Sequence, residues 1–186
     1  LLQDTLVWFV YAPPTSSSYA KARTNSVLSC VQNLLINNDN SERSIILGDL
    51  NGKTACKADY LMDEGDNHSP INQVSTYIYD SPSPRFNSDE NTTDAQGKMI
   101  LEICKTQNMR ILNGRTPGDR WGNLTRFPLD RDEQPSVLDY GICNSQLQQI
   151  IQSFLIFPLS ILSDHCCISI VIEVGKTPPK QKTTNP

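Results

Sequence analysis

Two short apolar runs, Leu6-Val7-Trp8-Phe9-Val10 and Ser44-Ile45-Ile46-Leu47, flank a single helical stripe, and this order constrains the fold more than any other feature of the chain. The stripe is Val27, Leu28, Val31, Leu34 and Leu35, the i, i+1, i+4, i+7, i+8 spacing of one face of an amphipathic helix. Hydroxyls at Ser16 to Ser18 offer its N-cap, and Asn37-Asn38-Asp39-Asn40 stops it. A strand, a crossover helix and a second strand make a parallel pair, so both strands point the same way. Tyr11 and Asp49 then fall just beyond the ends of those strands, where open α/β sheets build their sites.

Downstream, residues 52 to 92 form a polar excursion with Pro70, Pro82 and Pro84, and short strands are expected near Val74 to Tyr79. Thr93 with Gln96 spells a capping box, and Ile100, Leu101 and Cys104 share one face, which predicts a helix from Asp94 to Gln107. Met109 to Leu112, Leu124 to Phe127, Val137 to Cys143 and Cys166 to Val174 read as strands. Residues 1–175 are expected to form one domain, and 176–186, rich in Lys, Pro and Thr, a disordered tail. The chain enters its first strand almost at once from Leu1, so it reads as a domain cut short at its front, with no leader.

Composition removes several classes of function. A net charge of -4 argues against a generic nucleic-acid coat and leaves only a local basic rim, drawn from Lys21, Arg23, Arg110, Arg115, Arg120, Arg126 and Arg131. The six cysteines include no C-x-x-C pair, so they read as reduced core thiols. The apolar-rich stretch Phe154 to Leu162 is broken by Pro158 and falls far short of the ~20 residues that span a bilayer. No membrane partner is expected.

Three fragments carry chemistry. Gly48-Asp49-Leu50-Asn51 sets a carboxylate and a carboxamide two residues apart at a strand end. Ser136-Val137-Leu138-Asp139-Tyr140 places one charge in an apolar strand, and a buried carboxylate is costly unless paired or bound to a cation. Ser163-Asp164-His165 joins a hard oxygen ligand to an imidazole that exchanges protons near neutral pH, a natural partner for Asp139. Each alone has an ordinary structural explanation. Together they supply the parts of metal-assisted phosphoryl transfer.

With Tyr11-Ala12-Pro13-Pro14, these fragments resemble, in order, the later motifs of the endonuclease/exonuclease/phosphatase family. Arg85 to Gly97, Leu101-Glu102-Ile103-Cys104, Ile111-Leu112-Asn113-Gly114-Arg115 and Gly122-Asn123-Leu124-Thr125 look most like the endonuclease domains of non-LTR retrotransposons, and the resemblance covers residues 5 to 174. It implies an α+β, four-layer αββα sandwich of the deoxyribonuclease I type, N-terminally truncated, that nicks DNA with Mg²⁺ or Mn²⁺ and leaves a 3′ hydroxyl. It further implies a reverse transcriptase domain in a full-length parent and an intracellular, nuclear setting. By the same analogy Asp49 activates or orients the attacking water, Asn51 holds it, and Asp164 binds the metal with Asp49 and Asn51. His165 contacts the scissile phosphate, Asp139 fixes its tautomer, and Tyr11 donates to a phosphate oxygen. Asn113, Arg115 and Thr125 line the DNA groove.

The chain departs from that pattern in places. The family's first two motifs, an Asn and the Glu that is the main metal ligand, lie upstream of the Tyr motif and outside this sequence. Leu50 stands where an aromatic is common, and Cys167 where Pro is frequent. An inactive remnant, or a non-catalytic interaction module that kept the sandwich, is therefore the alternative function. His68, alone in a polar loop, receives no role, and Trp121 offers a surface either to a base or to its own loop. The acceptor triplets at Asn91 and Asn123 are discounted as glycosylation sites. Strand counting also predicts an exposed apolar sheet face and marginal stability.

Overall fold

The computed structural model describes residues 5–37, 43–61, 84–89, 92–130 and 132–173. The expected strands near Val74, the lone His68 and the C-terminal tail lie outside these.

The first unit forms as its pattern predicts. Strand β1 (Leu6–Tyr11) and β2 (Ser44–Asp49) pair in parallel, with Leu6 opposite Ser44 and Tyr11 opposite Asp49. The helical segment between them divides in two, because two different hydroxyls cap it. Ser17 caps the four-residue α1 (Ser18–Lys21), and Ser26 accepts from the Ser29 N–H to start α2 (Val27–Ile36). The apolar stripe belongs to α2 alone, which buries Leu28, Val31 and Leu35.

Helix α3 (Ala95–Thr106) starts one residue later than its capping box implies. Asp94 is the N-cap, accepting from Gly97 N–H at 2.7 Å and also from Lys53 N–H at 3.1 Å. Gln96 is thereby free of capping duty and donates instead to the carbonyls of Pro13 and Leu50, tying the helix to the loops that follow β1 and β2. Gly97 makes this approach possible, since a Cβ there would lie 1.7 Å from the Lys53 carbonyl oxygen.

Strands β3 (Met109–Ile111) and β4 (Asp139–Asn144) complete a sheet of order β1-β2-β4-β3, with β4 antiparallel to both neighbours. A 3₁₀ turn, Leu147–Ile150, then leads into β5 (Ile151–Ile156), which pairs antiparallel with β6 (Ile168–Ile172) as a second sheet. The sequence reading marks only an apolar stretch at β5, because Pro158 interrupts it. The segment expected as a strand at Leu124 to Phe127 joins the fold through bridges of Arg126 to Ser136 and to His165.

Side-chain alternation sorts the four-stranded sheet into two buried faces. Ile46, Tyr140, Ile142, Met109 and Ile111, with Trp8 and Val10, pack against α2 and α3. Ile45, Leu47 and Cys143 point the other way and meet Phe154, Ile156, Ile168 and Ile170 of the second sheet. The result is a mixed α+β sandwich with its helix layer outside and its two sheets face to face. On β1 the second face carries Val7, Phe9 and Tyr11, all exposed, with Phe9 at 83%. That is the apolar surface strand counting predicts. No helix among the described residues is long and apolar enough to cross a membrane.

Candidate active site

The register of the first sheet lines up three of the expected residues. Tyr11 is opposite Asp49, and Asp49 is opposite Asp139, so the three stand in one row across β1, β2 and β4. Opposite residues share a face, and this row lies on the face that meets the second sheet. Gly48 allows the close approach of β1 to β2 at this end. Its φ is +142°, and a Cβ would sit 2.0 Å from the Val10 carbonyl oxygen.

The turn that leads into β6 delivers the imidazole. His165 Nδ1 lies 2.8 Å from Asp139 Oδ2, and its Nε2 faces Asp49 Oδ2 at 4.0 Å. Ligand atoms of Asp49, Asp139 and His165 all fall within 4.8 Å of one another. The hydrogen bond that His165 makes to Asp139 raises its pKa against the opposing effect of burial, with the charges of Asp139, Asp49 and Asp164 adding to the rise. Asp49 is raised as well. Burial and the facing Asp139 carboxylate raise its pKa from the ordinary 3.8 to about 6.

Asn51 buttresses Asp49 from below. Its backbone N–H donates to Oδ1 at 3.0 Å and its Nδ2 to Oδ2 at 2.8 Å, while the same Nδ2 also reaches the Ala12 carbonyl at 2.9 Å. The residue sits at φ 45°, in the left-handed region that Asn tolerates better than most side chains. Tyr11 is 63% exposed at the end of the row, with its ring open to a ligand.

Asp164 is not one of the three residues whose ligand atoms converge within 4.8 Å. Its carboxylate accepts from Arg126 Nε at 3.2 Å. The donors that do converge suit a hard divalent cation, since two carboxylates held opposite each other repel, and a cation relieves that repulsion. Sequence reasoning named Arg126 only as a candidate for a basic rim, because an ion pair spanning 38 positions leaves no local signature.

The three residues expected to line a groove are instead interior. Thr125 is fully buried, and its Oγ1 accepts from the N–H groups of both Leu138 and Asp139 at 3.0 Å. Asn113 is also fully buried and clamps the same strand from its other neighbour. Its Nδ2 donates to the Asp139 carbonyl, and its Oδ1 accepts from Gly141 N–H. Arg115 pairs with Asp59 at 2.8 Å, both side chains out of solvent. Asp59 in turn accepts from the Ile111 N–H, so this pair anchors β3. Asn113 and Thr125 therefore act on the backbone that carries Asp139, because a polar side chain interrupting an apolar stretch is as well used to satisfy main-chain groups as to face solvent.

No protein-family model and no curated protein sequence matches the chain. Its fold is nevertheless that of solved enzymes. The endonuclease domain of TRAS1, a telomere-specific non-LTR retrotransposon, is 14% identical and superposes with a TM-score of 0.50, covering 90% of this chain and 56% of that one. A 3′-5′ exonuclease, NExo from Neisseria meningitidis, is 10% identical with a TM-score of 0.53, covering 90% and 60%. The 3′ phosphatase NExo from Neisseria bound to a product DNA hairpin is 11% identical at 0.51, with the same coverage of 90% and 60%. At such identities the likeness is one of fold, and that fold is the deoxyribonuclease I-like, endonuclease/exonuclease/phosphatase type. The chain spans 56% to 60% of the length of these neighbours.

Proposed function

We propose that this chain carries the aspartate-histidine part of a metal-dependent phosphodiesterase site, and that the enzyme it belongs to nicks DNA in the manner of a retrotransposon endonuclease. The observation that carries this reading is the convergence of Asp49, Asp139 and His165 on one spot from three separate strand ends. Nuclease and phosphatase folds among the solved neighbours support it, as does the retrotransposon domain among them.

In this reading Asp139 holds His165 through Nδ1 and leaves Nε2 to donate to a phosphate oxygen of the substrate. The charge on the imidazolium then grows in value as negative charge develops on the phosphoryl oxygens. Asp49, with its raised pKa, orients a water and takes its proton, and Asn51 fixes the rotamer of Asp49 through two hydrogen bonds. Tyr11 offers its hydroxyl to a second phosphate oxygen from the end of the row. Mg²⁺ or Mn²⁺, held by Asp49, Asn51 and Asp164, would neutralise charge on the phosphate.

A second reading is a chain of the same sandwich fold without turnover. Nicking of supercoiled plasmid with Mg²⁺ or with EDTA separates the two. The assay uses this chain, a longer product of the same reading frame, and the His165→Ala variant of each. Metal-dependent nicking lost with His165 supports the endonuclease. Cleavage confined to inositol phosphates or lipids would sink it, and silence from every version leaves the second reading.

A further inference from the structure

Arg126 joins the site to the loop beyond it. Its Nε pairs with Asp164 at 3.2 Å and its Nη1 with Glu133 at 2.8 Å, two carboxylates on two different nitrogens. Its backbone is fixed between them, exchanging hydrogen bonds with Ser136 and bridging to His165. Arg126 and Glu133 also line a cleft whose walls include Asn51, Lys53, Gln134 and Ser136. Glu133 is the more exposed of the two partners, at 53% against 34% for Asp164.

A guanidinium and a hard cation compete for the same carboxylate oxygens. Among the described residues Arg126 is the cation paired with Asp164, and it can release Asp164 without losing all its own pairing, because Glu133 holds the other nitrogen. We propose that Arg126 is a positioning residue, a latch that occupies Asp164 until a divalent cation takes it and that rests on Glu133 afterwards. The inference builds on the metal reading given above and adds a regulated ligand to it. Removing the arginine frees Asp164, so cation binding tightens. Removing Glu133 leaves the arginine only Asp164 to hold, so cation binding weakens.

Both directions also follow from a simple field of charges, and a double-mutant cycle separates the two accounts. Mn²⁺ binding to the full chain is measured by calorimetry for the wild type, Arg126→Gln, Glu133→Gln and the double variant, with the fold of each checked by circular dichroism. A latch predicts that Arg126→Gln tightens Mn²⁺ about 2- to 5-fold, the range of a partly exposed ion pair. It predicts that Glu133→Gln weakens Mn²⁺ comparably in the wild type and has almost no effect once Arg126 is gone. An equal effect of Glu133→Gln in both backgrounds overturns the latch and leaves the metal reading standing. Failure of all four proteins to bind Mn²⁺ overturns both. Should Arg126→Gln not fold, Arg126→Lys replaces it in the same cycle. A single ammonium cannot span both carboxylates, so the effect of Glu133→Gln must shrink there too, and an unchanged effect overturns the latch.

Discussion

Replacing Asp49 with asparagine should make the metal-free protein more stable at alkaline pH. The carboxylate is ionised there against the burial and the facing Asp139 that raise its pKa from 3.8 to about 6. A difference of about two units, at about 1.4 kcal/mol each, corresponds to roughly 3 kcal/mol of strain in the ionised site. Asparagine carries no charge, but it can accept only one of the two hydrogen bonds from Asn51, a loss of about 1 kcal/mol. Attraction to His165, whose Nε2 is 4.0 Å from Asp49, lowers the pKa and is already counted in that difference. The net gain is about 2 kcal/mol at pH 8. Between pH 3.8 and about 6 the native state keeps a proton that the unfolded chain has released, so wild-type stability declines as pH rises through that window. The advantage of Asp49→Asn therefore shrinks on acidification and reverses by about 1 kcal/mol below it. Urea unfolding in EDTA at pH 8, 6 and 4 reads the difference, and millimolar Mg²⁺ at pH 8 should narrow it by stabilising only the wild type. An asparagine variant no more stable at pH 8, or a gap that ignores pH, refutes the reasoning.

Three other substitutions test the supports of the site. Thr125→Val removes the acceptor shared by the Leu138 and Asp139 N–H groups and should cost about 1 to 3 kcal/mol in urea unfolding, with nicking falling further than stability explains. Arg115→Met strands the buried Asp59 carboxylate and should cost about 3 to 5 kcal/mol, much of it recovered in the double variant Arg115→Met, Asp59→Leu. Phe154→Ala opens a cavity between the sheets, where the ring is fully buried against Gly141, and should cost about 3 to 5 kcal/mol by thermal melt. A cost below about 1 kcal/mol would mean that the second sheet is not seated as described.

The parts legible in the sequence were those written in local periodicity. The parallel β1-β2 unit, α3 and the strand bearing Asp139 each announce themselves within a dozen residues. The Asp139-His165 partnership was also readable, because a lone charge in an apolar strand demands a partner and Asp164-His165 was the nearest chemistry on offer. What stayed hidden depends on pairing at long range. Asn113, Thr125 and Arg115 look like surface polar residues until the groups they satisfy, 26, 14 and 56 positions away, are known. The split between α1 and α2 was missed for a different reason, since two serine clusters compete for one cap and composition does not say which wins.

The row formed by Tyr11, Asp49 and Asp139 bears on how any inactive variant is to be interpreted. Side chains along a strand alternate between faces, so sliding β2 by one residue would turn Asp49 into the helix-packed core and Ile46 out of it. The pairing that assembles the row is the same pairing that fills both cores. A variant that melts cooperatively has therefore kept its strands aligned, and its silence in a nicking assay indicts an atom, not an alignment.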